Sequence, residues 1–405
     1  MAKAYIFDAV RTPRGRGRAK DGSLHEVAPI ALAAGTLRAL AARNDFAPDT
    51  VEDVILGCVD PVKDQAADIA RSAALTAGFG DAVPGVQINR FCASGLEAVG
   101  LAASRLKAGD IDLAVAGGVE MMSRVGMGGS GMPALTDPDV AIPHFMIPQG
   151  VSADLIATKE GYSRQDVDNY AVESQRRAKI AWQKGYFSNS VVTVKDQNGV
   201  PILEHDEAMR PEADMQSLGA LEPSFAAMAD MGGFGAVASQ KYPETEAIDH
   251  VHHAGNSSQI VDGAAAILIG SDASQNTEGL TPRARVVSCV SIGSEPTIML
   301  TGPVEASRLA LAKAGMQFKD VDLWEVNEAF SAVPMFFMEK TNVAHENVNV
   351  NGGAIAMGHP LGATGAMILG TLLDEMERSD KEVGVATLCA ASGQAIAMVI
   401  ERVGR

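Results

Sequence analysis

No stretch of this 405-residue chain approaches the run of about 18 apolar residues that a membrane-spanning helix requires. Its start, Met1-Ala2-Lys3-Ala4-Tyr5-Ile6-Phe7-Asp8, reads as an immediate strand rather than an apolar signal segment. Basic residues are outnumbered: 33 Lys and Arg face 50 Asp and Glu, for a formal charge of −17. That deficit argues against a nucleic-acid partner, because binding the phosphate backbone needs a basic surface. It leaves room for a phosphorylated ligand held by a few local Arg or Lys. Cysteine is sparse, at 58, 92, 289 and 389, with no Cys-x-x-Cys pair. Neither a disulfide framework nor a zinc site is expected, and a reducing, cytoplasmic setting fits. His250, His252 and His253 are a candidate metal group, but on a strand alternate rings would face opposite ways. No carboxylate or cysteine joins them, so no metal is expected.

What is present is a compact α/β pattern. Hydrophobic residues make up 47% of a chain long enough for two or three domain-sized units. Strand-like runs at Val51–Leu56, Val86–Asn89 and Asp112–Ala116 alternate with helical spacing over Pro29–Ala42 and Gly95–Lys107. This alternation predicts a mostly parallel sheet covered on both faces. Between about 123 and 250 Met, Gly and Pro crowd the chain, and one good helix follows the capping box Ser163-Arg164-Gln165-Asp166. The stretch reads as an irregular, lid-like insertion. Alternation resumes with Ala264–Ile269, Arg285–Val290, Pro303–Ala314, Asp322–Val326, a helix after Gly362, and the pair Val383–Leu388 and Ala395–Glu401. The second half repeats the plan of the first. The expected division is residues 1–122 with 251–275, a lid over 123–250, and 276–405.

Four distant segments carry chemistry. Cys92 precedes a helix whose face is Leu96, Val99, Ala103 and Leu106, with Gly109 past its end. A thiol at a helix N-terminus is drawn towards the reactive thiolate. Taken alone, the segment fits a buried structural cysteine better than a nucleophile. His359 lies among many glycines, is held extended by Pro360, and faces the positive end of the helix beginning near Thr364. That field favours the neutral imidazole a general base needs. Asn327 ends a strand and stands at a natural N-cap position. Cys389 follows a strand and precedes the small-residue turn Ala390-Ala391-Ser392-Gly393, while Cys58 and Cys289 look like core residues. A nucleophilic sulfur, a base, an orienting amide and a proton-carrying thiol are a combination that only a few chemistries need.

These segments resemble the thiolase family. The likeness runs through Val10-Arg11-Thr12-Pro13, Asn89-Arg90-Phe91-Cys92-Ala93-Ser94-Gly95, Ala116-Gly117-Gly118-Val119-Glu120, Ala254-Gly255-Asn256-Ser257-Ser258, Asn327-Glu328-Ala329-Phe330 and Asn351 to Gly362. It implies two similar α/β halves stacked as an αβαβα sandwich, a lid for coenzyme A, and a homodimer or homotetramer. It implies acyl-CoA and coenzyme A as substrates, with no separate cofactor. By the resemblance Cys92 is the acyl-carrying nucleophile, His359 its base, Cys389 the acid/base thiol and Asn327 the holder of a water at the enolate. Backbone N–H groups of Cys92 and Ala391 form a second oxyanion hole. Arg210, Ser258 and Phe330 fall at substrate-binding positions. Three departures stand out: Ala391 in a turn that is usually Cys-x-Gly, Gln259 after Ser258, and Pro148-Gln149 where many acetoacetyl-specific members have His-Met. With Val119 to Ser123, the last leans towards the degradative branch. A ketoacyl-synthase-type condensing enzyme and a non-catalytic acyl carrier are the rival readings.

Overall fold

The computed structural model describes residues 3–404. Its first half runs β1 (Tyr5–Arg11), α1 (Pro29–Asn44), β2 (Asp53–Gly57), α2 (Ile69–Ala77), β3 (Gly85–Ile88), α3 (Ser94–Ala108) and β4 (Leu113–Met121). The intervening segment holds α4 (Gln149–Glu160), α5 (Arg164–Gln183) and shorter helices, and leads to β5 (Val261–Gly270). The second half runs β6 (Ala284–Gly293), α6 (Gly302–Ala314), β7 (Leu323–Val326), α7 (Ala332–Thr341), α8 (Thr364–Arg378), β8 (Val383–Ala390) and β9 (Gln394–Arg402).

The strands form one path, β7-β8-β9-β6-β1-β5-β4-β2-β3, and the halves meet where Tyr5 pairs with Arg285 and Ile6 with Ala284. The plan of the first half recurs: β6, β7, β8 and β9 take the places of β1, β2, β4 and β5. A parallel bridge from Trp324 to Val348 stands where β3 would be. The sheet is mixed rather than mostly parallel. Only the β2–β3, β2–β4 and β7–β8 ladders are parallel among the described residues. The reason is local: β8 and β9 are joined by a tight hairpin through Ala391, Ser392 and Gly393, and adjacent strands on a short turn must run antiparallel.

Alternating side chains divide the core into layers. Ile6, Ala265, Ile267, Ile269, Ile396, Met398 and Ile400 face inward, onto α3 and α8. Tyr5, Phe7, Ala264, Ala266 and Leu268 face outward, under α1 and α2. Ala395, Ala397 and Val399 face the opposite way, under α6. The result is the αβαβα sandwich. α3 and α8 sit at its centre, and α8 is buried continuously from Thr364 to Met376.

The helices of this middle layer touch backbone to backbone at their N-termini. A Cβ on Gly365 would lie 2.2 Å from the Leu96 nitrogen, and one on Gly118 would lie 1.9 Å from the Gly362 oxygen. Only hydrogen fits there. In the intervening segment the Ser163/Asp166 capping box forms as the sequence implies and starts α5. Helix α4 was not legible, because it is buried from Gly150 to Ala157 and so has no polar face to set a period.

In an ordinary helix interior Gly→Ala gains about 1 kcal/mol. At Gly365 the contact with α3 reverses that sign, so Gly365→Ala is expected to destabilise by about 2 kcal/mol or more. A drop in Tm by calorimetry checks this; an unchanged or raised Tm contradicts the close crossing.

Candidate active site

Side chains build the turn between β3 and α3 that presents Cys92. Asn89 Nδ2 donates to the Val59 carbonyl at 2.9 Å, and its Oδ1 accepts the Phe91 N–H at 2.8 Å. Ser94 Oγ accepts the Arg90 N–H at 2.8 Å and donates to the Phe91 carbonyl at 2.6 Å. These bonds hold Phe91 at φ 47°, a strained conformation for an aromatic residue next to a reactive group. Arg90 completes the turn by reaching Glu97 at 3.0 Å and Gln394, in the Cys389 hairpin, at 3.3 Å.

Beyond the Arg90–Gln394 bond that joins the two turns, the backbone N–H groups of Cys92 and Ala391 and the Gln149 side chain are the groups that oppose a rise in the Cys92 pKa. The two cysteine-bearing turns therefore meet, although 297 positions (389 − 92) separate their sulfurs in sequence. Burial still pushes the Cys92 thiol up to about 11, and buried Glu120 adds to the rise. The expected resting thiolate is thus corrected: loss of water outweighs the helix terminus and the donors. Cys389 is within β8, not beyond it, and is 1% exposed. Burial first, and then the neighbouring Cys92, raise its thiol as well. The two cysteines are not counterparts in the repeat, since β8 corresponds to β4 rather than β3.

The hydrogen bonds around His359 favour one tautomer. Thr364 Oγ1 donates its one proton to the Pro360 carbonyl at 2.9 Å and stands 2.5 Å from His359 Nδ1. The hydroxyl can then only accept from the ring, so Nδ1 carries the hydrogen. Nε2 is left as the basic nitrogen, 3.4 Å from Asn327 Nδ2. Burial, and secondarily Arg14, lower the imidazole pKa to about 3. The neutral form expected from the sequence is therefore present, with burial as the main cause.

Asn327 is not an N-cap. Its N–H donates to the Thr387 carbonyl at 3.0 Å, and α7 starts five residues later, at Ala332. The intervening chain stays outside the helix, with Phe330 bridged to Ser257. Freed from capping, the Asn327 side chain faces His359, and its Oδ1 is buried without a protein partner. Pro334 lies in the first turn of α7, where its missing N–H costs nothing.

Two buried carboxylates that sequence reasoning passed over hold the site. Glu120 accepts from the Val59 N–H at 2.8 Å, the Gly362 N–H at 2.9 Å and Gln65 Nε2 at 3.0 Å. It thereby ties the end of β4 to the His359 loop. Glu328 accepts from Tyr170 at 2.9 Å, Ser174 at 2.7 Å and the Ile355 N–H at 3.1 Å, linking α5 to the chain before His359. Their signal was available, since each adjoins a motif residue.

Phe330 packs with Cys389, Met299 and Leu300, its ring edge-on to Phe225 at 5.7 Å. Ser258 is half-buried, its N–H donating to Ala329 at 2.9 Å. Arg210 is exposed and joins no ion pair among the described residues; Met209 beside it packs with Met357, just before His359. The three histidines are not on a strand: His250 and His252 bond Asp154 at 2.7 and 2.8 Å, and His253 bonds Asp168 at 2.8 Å. No set of three or more His, Cys, Asp or Glu is placed to hold a metal among the described residues. Cys58 is core, as expected, but Cys289 is only half-buried.

Residues 4–234 match the family described as Thiolase, N-terminal domain, and residues 280–402 match Thiolase, C-terminal domain. Proteins named 3-ketoacyl-CoA thiolase from Cronobacter sakazakii and Erwinia tasmaniensis are 38% and 39% identical over 412 aligned residues, covering all of both chains. The structure of human mitochondrial 3-ketoacyl-CoA thiolase in complex with CoA matches with a TM-score of 0.87 at 31% identity, again over the full length of both chains. The chain belongs to the thiolase family. It is an enzyme of the thiolytic acyltransferase class, and the condensing-enzyme and carrier readings are not favoured.

Thr364→Val removes the acceptor for His359 Nδ1–H and is expected to cut kcat by roughly ten- to a hundredfold, with Thr364→Ser largely retaining it. Steady-state rates at matched Tm check this. His359 also shapes acid stability. Between its ordinary value of 6.5 and about 3, the unfolded chain binds a proton that the folded one does not, so stability falls as pH drops through that window. His359→Asn should flatten this slope in denaturant titrations across pH; an unchanged slope counts against the buried neutral ring.

Proposed function

We propose that the protein cleaves 3-ketoacyl-CoA with coenzyme A, giving acetyl-CoA and a shortened acyl-CoA, and runs the Claisen condensation in reverse. The observation that carries this reading is the buried Asn327 side chain, its Nδ2 3.4 Å from His359 Nε2 and its Oδ1 without a partner, with the Cys92 turn bonded to the Cys389 hairpin through Arg90 and Gln394.

His359 Nε2 takes the Cys92 proton, and the sulfur attacks the C3 ketone. The N–H groups of Cys92 and Ala391 receive the oxyanion. The C2–C3 bond then breaks, leaving the acyl group on Cys92 and the electron pair on the acetyl-CoA enolate. Protonated His359 and a water held by Asn327 stabilise that enolate; the unpartnered Asn327 Oδ1 supports this role. Cys389 gives its proton to C2, releasing acetyl-CoA. Its thiolate next takes the proton of coenzyme A, whose sulfur attacks the acyl group. Cys92 leaves and recovers its proton from His359.

Phe330 with Phe225 and Met299 forms the apolar wall for the acyl chain. Ser258 contacts the pantetheine arm, and exposed Arg210 meets the nucleotide phosphates, with 123–250 as the coenzyme A lid. Val119-Glu120-Met121-Met122-Ser123 supports a degradative, fatty-acid β-oxidation role in the cytoplasm. The exposed Val86 on edge strand β3 supports assembly into a homodimer or homotetramer.

Incubation with a 3-ketoacyl-CoA series from four carbons upward, coenzyme A withheld, should leave one acyl group on the Cys92 peptide by mass spectrometry. Cys92→Ala should remove that mass and lower thiolysis by at least roughly a thousandfold. Activity only with malonyl thioesters, or full activity in Cys92→Ala, would sink the proposal.

A further inference from the structure

The turn from Ala254 to Gln259 lies between the two segments that carry the site's amide and its base. On one side the Asn256 carbonyl accepts the Ser331 N–H at 3.0 Å, and the Ser258 N–H donates to the Ala329 carbonyl at 2.9 Å. On the other, the Gln259 N–H donates to the Ala354 carbonyl at 3.2 Å, and its own carbonyl accepts the His359 N–H at 3.0 Å. The buried end of the turn is tied to α5. Asn256 Nδ2 donates to Asp168 at 2.8 Å and to the Val251 carbonyl at 3.1 Å, while its Oδ1 accepts the His253 N–H at 2.8 Å. The Gly255 N–H donates to His253 Nδ1 at 3.0 Å, so that ring carries its hydrogen on Nε2, which meets the same Asp168 at 2.8 Å.

The solvent end is fastened differently. Ala254 is exposed, and its carbonyl accepts from Gln259 Nε2 at 2.8 Å; the same nitrogen stands 3.4 Å from the Ser257 carbonyl. One carboxamide therefore spans the turn from its last residue to its first, at a position where the family usually has glycine. Glycine offers no such bond and leaves the backbone freer. Within the closed turn Ser258 is half-buried, and its hydroxyl has no hydrogen-bond partner among the described residues. We propose that Gln259 is a positioning residue for coenzyme A: its side chain closes the turn and holds the free Ser258 hydroxyl ready for the pantetheine arm. Without that bond the turn must be ordered as coenzyme A binds, and affinity falls. The main-chain bonds to Ala354 and His359 do not depend on the side chain, so binding suffers more than turnover. This rests on Ser258 being the pantetheine contact.

The test is titration calorimetry of coenzyme A into the full chain, for the parent, Gln259→Met, Ser258→Ala and the double variant, with Tm and steady-state rates for each. Met keeps the length of the side chain and removes the donor. Its Kd for coenzyme A should rise by roughly three- to tenfold, KM for coenzyme A should rise with it, and kcat should fall by less. A general loss of structure would instead lower the number of binding sites and kcat, with Kd at the surviving sites unmoved, and that result overturns the proposal. Ser258→Ala should also weaken binding, and adding Gln259→Met to it should weaken binding no further. Gln259→Gly serves if Met disturbs folding, with the same expectation. A Gln259→Met Kd equal to the parent's overturns the proposal while leaving Ser258 in place, as does a full additional loss in the double variant. Parent-like binding by Ser258→Ala overturns the pantetheine reading of Ser258 as well, so the two failures are distinct.

Discussion

The abutment of two helix N-termini in the middle layer is the constraint from which the site follows. Gly95, Gly362 and Gly365 let α3 and α8 approach until backbone meets backbone. One helix begins just after Cys92 and the other just after His359, so a single contact fixes nucleophile and base together. Glu120 locks the arrangement by bonding the Gly362 N–H across the two halves. A carboxylate this buried is tolerable only because backbone and side-chain N–H groups surround it.

Around that crossing, burial works in opposite senses on groups with opposite tasks. It holds His359 neutral, which a base requires, and holds both thiols protonated, which an acid requires and a nucleophile does not. The resting site is therefore uncharged at the reacting atoms. Charge arises only as a proton passes from Cys92 to His359. The Thr364 hydroxyl contributes by direction, leaving one ring nitrogen able to receive that proton.

Much of this was legible in the chain. The runs around Val86 to Lys107 and Val383 to Glu401 gave strands and helices close to those observed, because short apolar runs bounded by turn-forming residues mark strands even where both faces are buried, as in β8 and β9. The capping box at Ser163 was equally readable, being a purely local bond pattern. Helix α4 was hidden by its complete burial, and the parallel character of the sheet was overstated because strand direction depends on connections rather than composition. Asn327 was mistaken for a cap because only its surroundings, not its spacing, keep the next residues out of the helix.

Residue order alone determined the chemical types available: two thiols, an imidazole and a carboxamide, each beside small residues that admit a substrate. It determined too which segments would be strand or helix wherever apolar runs or helical spacing ended at turn-forming residues. Tertiary structure decided the protonation states, since these depend on how completely water is removed by elements distant in the chain. It also decided that His250 and His252 bond the buried Asp154 of α4 and that His253 bonds Asp168 of α5. Such contacts are set by packing across layers, and no local period records them.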